Sequence, residues 1–162
     1  MSIYPPLQKT MLPPEPGVIY VGYRSTLSHC RSIRMLKIER VDTENKKQVR
    51  RFVELPFHIY ADCPQWVPPL NVDAYNQLNR KKHPFHEHSA VEFFLAVRSG
   101  RDVGRIAVIE NKPFNQYHHE KTADFYLYEC ENDLEAATLL FNTAIEWAKA
   151  RGLNIMIGPK GM

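Results

Sequence analysis

The sequence predicts an α+β fold: a mixed sheet with an antiparallel meander and a parallel pair of strands around a long helix. Three observations carry this. Period-two or near-continuous apolar runs fall at residues 91–98, 103–110 and 123–130, a 3.6-residue apolar stripe covers residues 132–150, and a last apolar run, LNIMI, follows it directly. A strand, helix, strand passage of that kind brings its two strands into parallel register. At 162 residues and 44% hydrophobic content, the chain has the size and the apolar surface for one core.

In chain order, residues 1–34 hold five of the twelve prolines and no sustained period beyond the short patch Gly17 to Tyr23. They read as a disordered Pro-rich extension, with Met35 as a candidate start. MLKIERV, from Met35, alternates as a half-buried strand does. Asp42 and Thr43 offer a helix N-cap, and Val49, Phe52, Val53, Phe57 and Tyr60 follow at helical spacing. Pro56 lacks an amide hydrogen, so this helix is expected to kink or end near Leu55. The proline-rich stretch Cys63 to Leu70 makes an extended connector anchored by Trp66. A short helix from Asn71 or Val72 to about Asn79 places Val72, Tyr75 and Leu78 on one side, and leads into the basic loop RKKHPFHEH.

Strands Val91 to Arg98 and Val103 to Glu110 form a hairpin around the turn Ser99-Gly100-Arg101-Asp102. A polar loop, Asn111 to Lys121, precedes the strand Ala123 to Cys130, which is rich in Phe and Tyr. Asn132 is the expected cap of the long helix, with Glu135 as capping-box carboxylate and Ala137, Leu140, Phe141, Ala144, Ile145 and Ala148 as its apolar face. Arg151 and Gly152 end it, and Leu153 to Ile157 reads as a buried strand.

Charge and cysteine content narrow the function. The net +3 comes from residues 1–34, whereas the remaining residues carry 17 bases and 17 acids. Nucleic-acid binding needs clustered bases that release counterions, and a balanced body offers none. Cys30, Cys63 and Cys130 lack metal or disulfide spacing, and there is no apolar run of membrane-spanning length. A cytoplasmic chain with reduced thiols and no membrane association is therefore expected. The histidines at 83, 86 and 88 do not match a tetrahedral metal pattern, so no metal site is assigned.

The stretches FVELPFHIYADCPQWVPPL, KKHPFHEH, EFFLAVRSGRDVGRIAVIEN, FYLYEC and EWAKARGLNIMIGP together resemble a divergent, uncharacterised bacterial branch of the acyl-CoA N-acyltransferase (GNAT) superfamily, whose members are longer. The resemblance covers residues 35 to 162 and implies a partial GNAT-like fold, truncated at its C-terminal end. It implies transfer of an acyl group from acetyl-CoA or another acyl-CoA to an unknown small-molecule or peptide amine. It also implies contacts to that cofactor along Phe125, Tyr126, Leu127 and Tyr128, and at the helix start near Asn132. GNAT enzymes often place a general base on the strand before the long helix, which points to Glu129, with Glu92 on the hairpin as a second candidate.

Against activity stands the segment Glu129 to Ala136, which has four carboxylates and no glycine where the family has a glycine loop for the pyrophosphate. The tyrosine that many GNAT enzymes use as general acid would lie beyond Met162. The alternative is a non-catalytic GNAT-like half-domain that self-associates through an exposed sheet edge at Asn154 to Ile157.

Overall fold

Strands whose alternate residues face opposite helices set the architecture of the computed structural model, which describes residues 35–161. The extension expected at residues 1–34 lies outside the described residues. The elements run β1 (Leu36–Arg40), α1 (Lys46–Ile59), α2 (Asn71–Leu78), α3 (Phe85–His88), β2 (Ala90–Arg98), β3 (Arg101–Glu110), α4 (Lys112–His118), β4 (Thr122–Cys130), α5 (Leu134–Lys149) and β5 (Ile155–Ile157). They build one five-stranded sheet in the order β1-β2-β3-β4-β5. The first four strands pair antiparallel, and β5 lies parallel to β4, Thr122 opposite Ile155 and Asp124 opposite Ile157. The mixed α+β sheet with its parallel pair is the one the sequence predicts.

Two apolar layers sandwich the sheet. On one face Phe93, Leu95, Val97, Ala107, Ile109 and Tyr126 meet Val49, Phe52, Val53 and Leu55 of α1 and Leu78 of α2. On the other, Phe94, Ala96, Ile106, Val108 and Ala123 meet Ala136, Leu140, Ala144 and Ala148 of α5. The side chains swap faces residue by residue along β2 and β3, which is why Phe93 to Val97 and Ile106 to Ile109 are continuous apolar runs.

Several local expectations need correction. Asn45 caps α1, accepting from the amides of Lys47 and Gln48, whereas Asp42 closes the preceding turn by accepting from the Glu44 amide. Pro56 does not stop α1, which continues to Ile59. A helical proline withholds the amide that would bond the carbonyl four residues back, here Phe52. That carbonyl instead accepts a 2.7 Å bond from Nη1 of the buried Arg105 on β3. The guanidinium also lies 5.1 Å from the Phe52 ring centroid. The helix survives because the sheet supplies the missing donor.

On α2, Leu78 is buried but Val72 and Tyr75 are exposed, so the packed side is Ala74 and Leu78. The hairpin turn is only Ser99-Gly100, both at positive φ (53° and 81°), the backbone that matches strand twist. The loop expected at Asn111 to Lys121 contains α4, whose cap, Asn111, accepts from the Phe114 amide with Pro113 in the first turn. The histidine loop contains the single turn α3. Asp133, not Asn132, caps α5, and the buried stripe is Ala136, Leu140, Ala144 and Ala148, which leaves Ile145 at the surface. β5 is three residues long and forms a sheet edge, not a buried strand, with Ile155 and Ile157 half exposed. Among the described residues no helix is long and apolar enough to cross a membrane.

Candidate functional site

β4 outruns its parallel partner. β5 pairs with Thr122, Ala123 and Asp124 only, and the chain after it returns one backbone bond, from the Lys160 amide to the Phe125 carbonyl at 2.9 Å. Gly158 makes that return possible, because a Cβ there would lie 2.5 Å from the Phe125 ring. On the β3 side the pairing slips between Arg105 and Ala107, where Leu127 adopts a positive φ of 48°. This bulge gives β4 an extra residue and re-aims the side chains after it. Phe125 and Tyr128 then pack on Phe141 of α5, while Leu127 joins Tyr126 on the α1 side. The candidate cofactor segment Phe125, Tyr126, Leu127 and Tyr128 is thus a kinked strand edge beyond the reach of β5.

Glu129 lies just past the bulge, opposite Arg105 in register. Tyr60, one residue beyond α1, donates its hydroxyl to the Glu129 carboxylate in a short bond. Trp66 of the connector stacks on Tyr60, ring centroids 5.3 Å apart, and meets Phe57 edge-on at 5.1 Å. The anchoring role expected of Trp66 is therefore to hold Tyr60 on Glu129. The bond to Glu129, together with burial, pushes the Tyr60 phenol up to about 12, so it remains a donor at neutral pH. Arg105 completes the group. Desolvation pulls its guanidinium down to about 10, opposed by the nearby Glu129, and it stays a cation.

Glu92 is elsewhere. It is buried on the parity of Phe94 and Ala96, the opposite face from Glu129, and its carboxylate is bridged by Arg40 and Arg80. Both of its oxygens already hold a guanidinium. Of the two carboxylates considered as bases, Glu129 is the one beside the strand edge with a neutral hydroxyl partner.

At the start of α5 the carboxylates are neutralised inside the protein. Arg98 bonds Asp133 at 2.7 and 2.9 Å and Glu135 at 2.8 Å, and Arg101 bonds Glu131. Asp133 also accepts from the Ala136 amide, and the Arg98 pairing holds its carboxyl below the usual range. Asn132 is exposed just before this cap. A helix start whose donors already meet a carboxylate offers less to a phosphate than the open, glycine-lined form.

The histidine loop is likewise committed to the fold. His86 Nε2 lies 2.9 Å from the Gln77 carbonyl and His88 Nδ1 lies 2.7 Å from the Ser89 hydroxyl. Burial lowers the His86 basicity, which favours the neutral ring donating to Gln77. Arg80 and Lys81 are spent on Glu92 and Glu44.

Tyr60 and Arg105 did not emerge from sequence reasoning as neighbours of Glu129. For Arg105 a signal existed: Pro56 strands a carbonyl at Phe52, and a lone arginine in VGRIAVI has the parity of the core.

No family model matches the chain. A bacterial ceramide synthase of Caulobacter vibrioides is 33% identical over 120 residues, which are 74% of this chain and 31% of that protein. Protein YghO of Escherichia coli is 28% identical over 115 residues, 71% of this chain and 29% of that protein. The chain spans about a third of the length of the curated relatives it matches. Among solved structures, a tandem GNAT protein from the clavulanic acid biosynthesis pathway superposes with a TM-score of 0.56 at 19% identity, over 72% of this chain and 34% of that one. An aminoglycoside acetyltransferase from an uncultured soil metagenomic sample, in complex with sisomicin, gives 0.55 at 15% identity over 78% of each chain. The fold is GNAT-like, as the sequence resemblance implies.

Glu129→Gln removes the charge that holds the Tyr60 proton. The Tyr60 pKa, followed by the ¹³Cζ shift of its ring, is expected to fall from about 12 toward the ordinary tyrosine value. An unchanged titration in the variant would show that the two groups are uncoupled.

Proposed function

We propose that the chain carries the acyl-donor half of an N-acyltransferase site that joins an acyl group from acetyl-CoA or another acyl-CoA to a primary amine. The observation that carries this reading is Glu129, set beside a strand edge that β5 leaves open and held there by Tyr60. A thioester arm laid along Tyr126 to Tyr128 can bond the strand backbone as another strand would. The amine nitrogen attacks the thioester carbonyl, the C–N bond forms, and the C–S bond breaks with release of thiolate. Glu129 takes the proton the nitrogen sheds, and the thiolate takes a proton from solvent. Tyr60 orients the carboxylate, and Arg105 counterbalances its charge.

The name of the Caulobacter relative supports amide formation, since a ceramide is a fatty amide. The aminoglycoside acetyltransferase neighbour supports the same fold for acyl transfer. The arginine-neutralised start of α5 argues that the donor is gripped along β4 more than at the phosphates.

A second reading has its own observation. Ile155 and Ile157 are 47% and 49% exposed on the β5 edge, and an apolar groove of about 430 Å³ runs beside it along Ile145, Leu153 and Met156. Such an edge pairs readily with another chain, so the domain could act through self-association. Size-exclusion chromatography separates the cases: a concentration-dependent dimer favours association, and a monomer at all concentrations counts against it.

Acetyl-CoA is expected to raise the melting temperature of the 162-residue chain. At one hundred times its dissociation constant the gain is about 2.7 kcal/mol, or about 5 to 10 °C for a domain of this size. No shift at millimolar acetyl-CoA would remove the acyl-transfer reading for this chain.

A further inference from the structure

The connector between α1 and α2 is weakly fastened to the protein it crosses. Its backbone bonds are local, from the Cys63 amide to the Tyr60 carbonyl and from the Trp66 amide to the Cys63 carbonyl, and among the described residues none reaches the sheet. Residues 61–70 are all exposed except Trp66, which is half-buried. Val67 and Leu70 are 83% and 75% exposed, so these apolar side chains do not hold the connector down. α2 adds little, packing through Leu78 and partly through Ala74, with no side-chain cap at its start. The hold tightens only at Gln77, whose carbonyl meets His86, and at Arg80, which bonds Glu92. A segment with so few buried contacts opens at lower cost than the core does.

Beneath it lies a cavity of about 250 Å³. Pro69, Leu70 and Ala74 cover it from above, whereas Val53 and Phe57 of α1 and Leu127 of β4 wall it below. Pro64, Pro68 and Pro69 fix their own φ and restrict the residues before them. The connector is therefore stiff, and it moves by swinging about its ends.

Trp66 is its fastening. One ring partner is Phe57, which lines the cavity, and the other is Tyr60, whose hydroxyl bonds Glu129. Raising the connector breaks both ring contacts together, and Tyr60 then loses the surface that steadies it. A single side chain thus links the cover of the cavity to the setting of the carboxylate.

We propose that residues 61–76 form a lid over this cavity, latched by Trp66 on Phe57 and Tyr60, so that Glu129 is held in its set position only while the lid is shut. The inference rests on the acyl-transfer reading above, in which Glu129 takes a proton, and adds a device that regulates that base. The site exchanges its contents with the lid raised, and closure aligns the carboxylate. Trp66 is a positioning residue, acting on Glu129 through Tyr60.

Two measurements on the 162-residue chain, made without ligand, test the lid. In ¹⁵N relaxation dispersion the Trp66 indole and the amides of residues 72–76 are expected to share one exchange process on the microsecond to millisecond scale of lid motions. The indole of Trp147, buried on α5, is expected to stay outside it. Trp66→Ala, checked for folding by its melting curve, removes the latch, and the Tyr60 pKa is expected to fall from about 12 toward the ordinary tyrosine value. Trp66→Phe keeps an aromatic ring at the latch and is expected to restore most of that shift. Flat dispersion at the Trp66 indole, or a Tyr60 titration unchanged in Trp66→Ala, would each overturn the proposal. Acetyl-CoA binding without either signature removes only the lid. Both signatures in a chain that ignores acetyl-CoA leave the lid standing and remove the acyl-transfer reading beneath it.

Discussion

A proline inside α1 leaves the Phe52 carbonyl without its amide, in the apolar layer between helix and sheet where water cannot compensate. An unmet buried carbonyl costs about 1 to 3 kcal/mol, and a buried guanidinium without hydrogen bonds costs more. Neither group is tolerable alone, but each relieves the other: Arg105 crosses from β3 to the orphaned oxygen. The bond fixes the height and rotation of α1 over the sheet. Tyr60 follows at the C-terminal end of that helix, where Trp66 and Glu129 hold it.

The placement matters because the candidate base is not on the helix. Glu129 stands on β4 beyond a bulge, and it meets Tyr60 only if α1 continues past Pro56 in its observed direction. Trp66 then stacks on Tyr60 from the connector, so a segment with no regular structure stiffens the site. The same arginine that lets the helix continue supplies positive charge behind Glu129. A few residues further along the chain, where α5 begins, the balance differs, for Arg98 and Arg101 neutralise the carboxylates there and stabilise the helix start.

Much of this was legible in the sequence, and the rest failed for identifiable reasons. The sheet was readable because β2 to β4 are long apolar runs, and the parallel β4/β5 pair because LNIMI follows a long helix directly. Glu129 was singled out through the family resemblance, as a carboxylate on the strand before the long helix. Helix caps were misplaced by one to three residues because Asp42, Thr43, Asn45, Asn132 and Asp133 are all competent caps, and only tertiary partners such as Arg98 choose among them. Pro56 misled because local rules price its missing hydrogen bond but cannot see a donor arriving from 49 residues further along the chain. Tyr60 looked like one more apolar-face residue, since its partner is equally remote in sequence. Val72 and Tyr75 have helical spacing with Leu78, yet they face solvent, which periodicity alone does not distinguish from packing.

The coupling between Pro56 and Arg105 is open to direct measurement by a double-mutant cycle in urea. Arg105→Met in the natural background should cost about 1 to 3 kcal/mol, because the Phe52 carbonyl is left bare. With Pro56→Ala already in place, the alanine amide can take that carbonyl, and the same substitution should cost about 1 kcal/mol less. Equal costs in the two backgrounds would contradict the claim that the arginine replaces the hydrogen bond the proline removes.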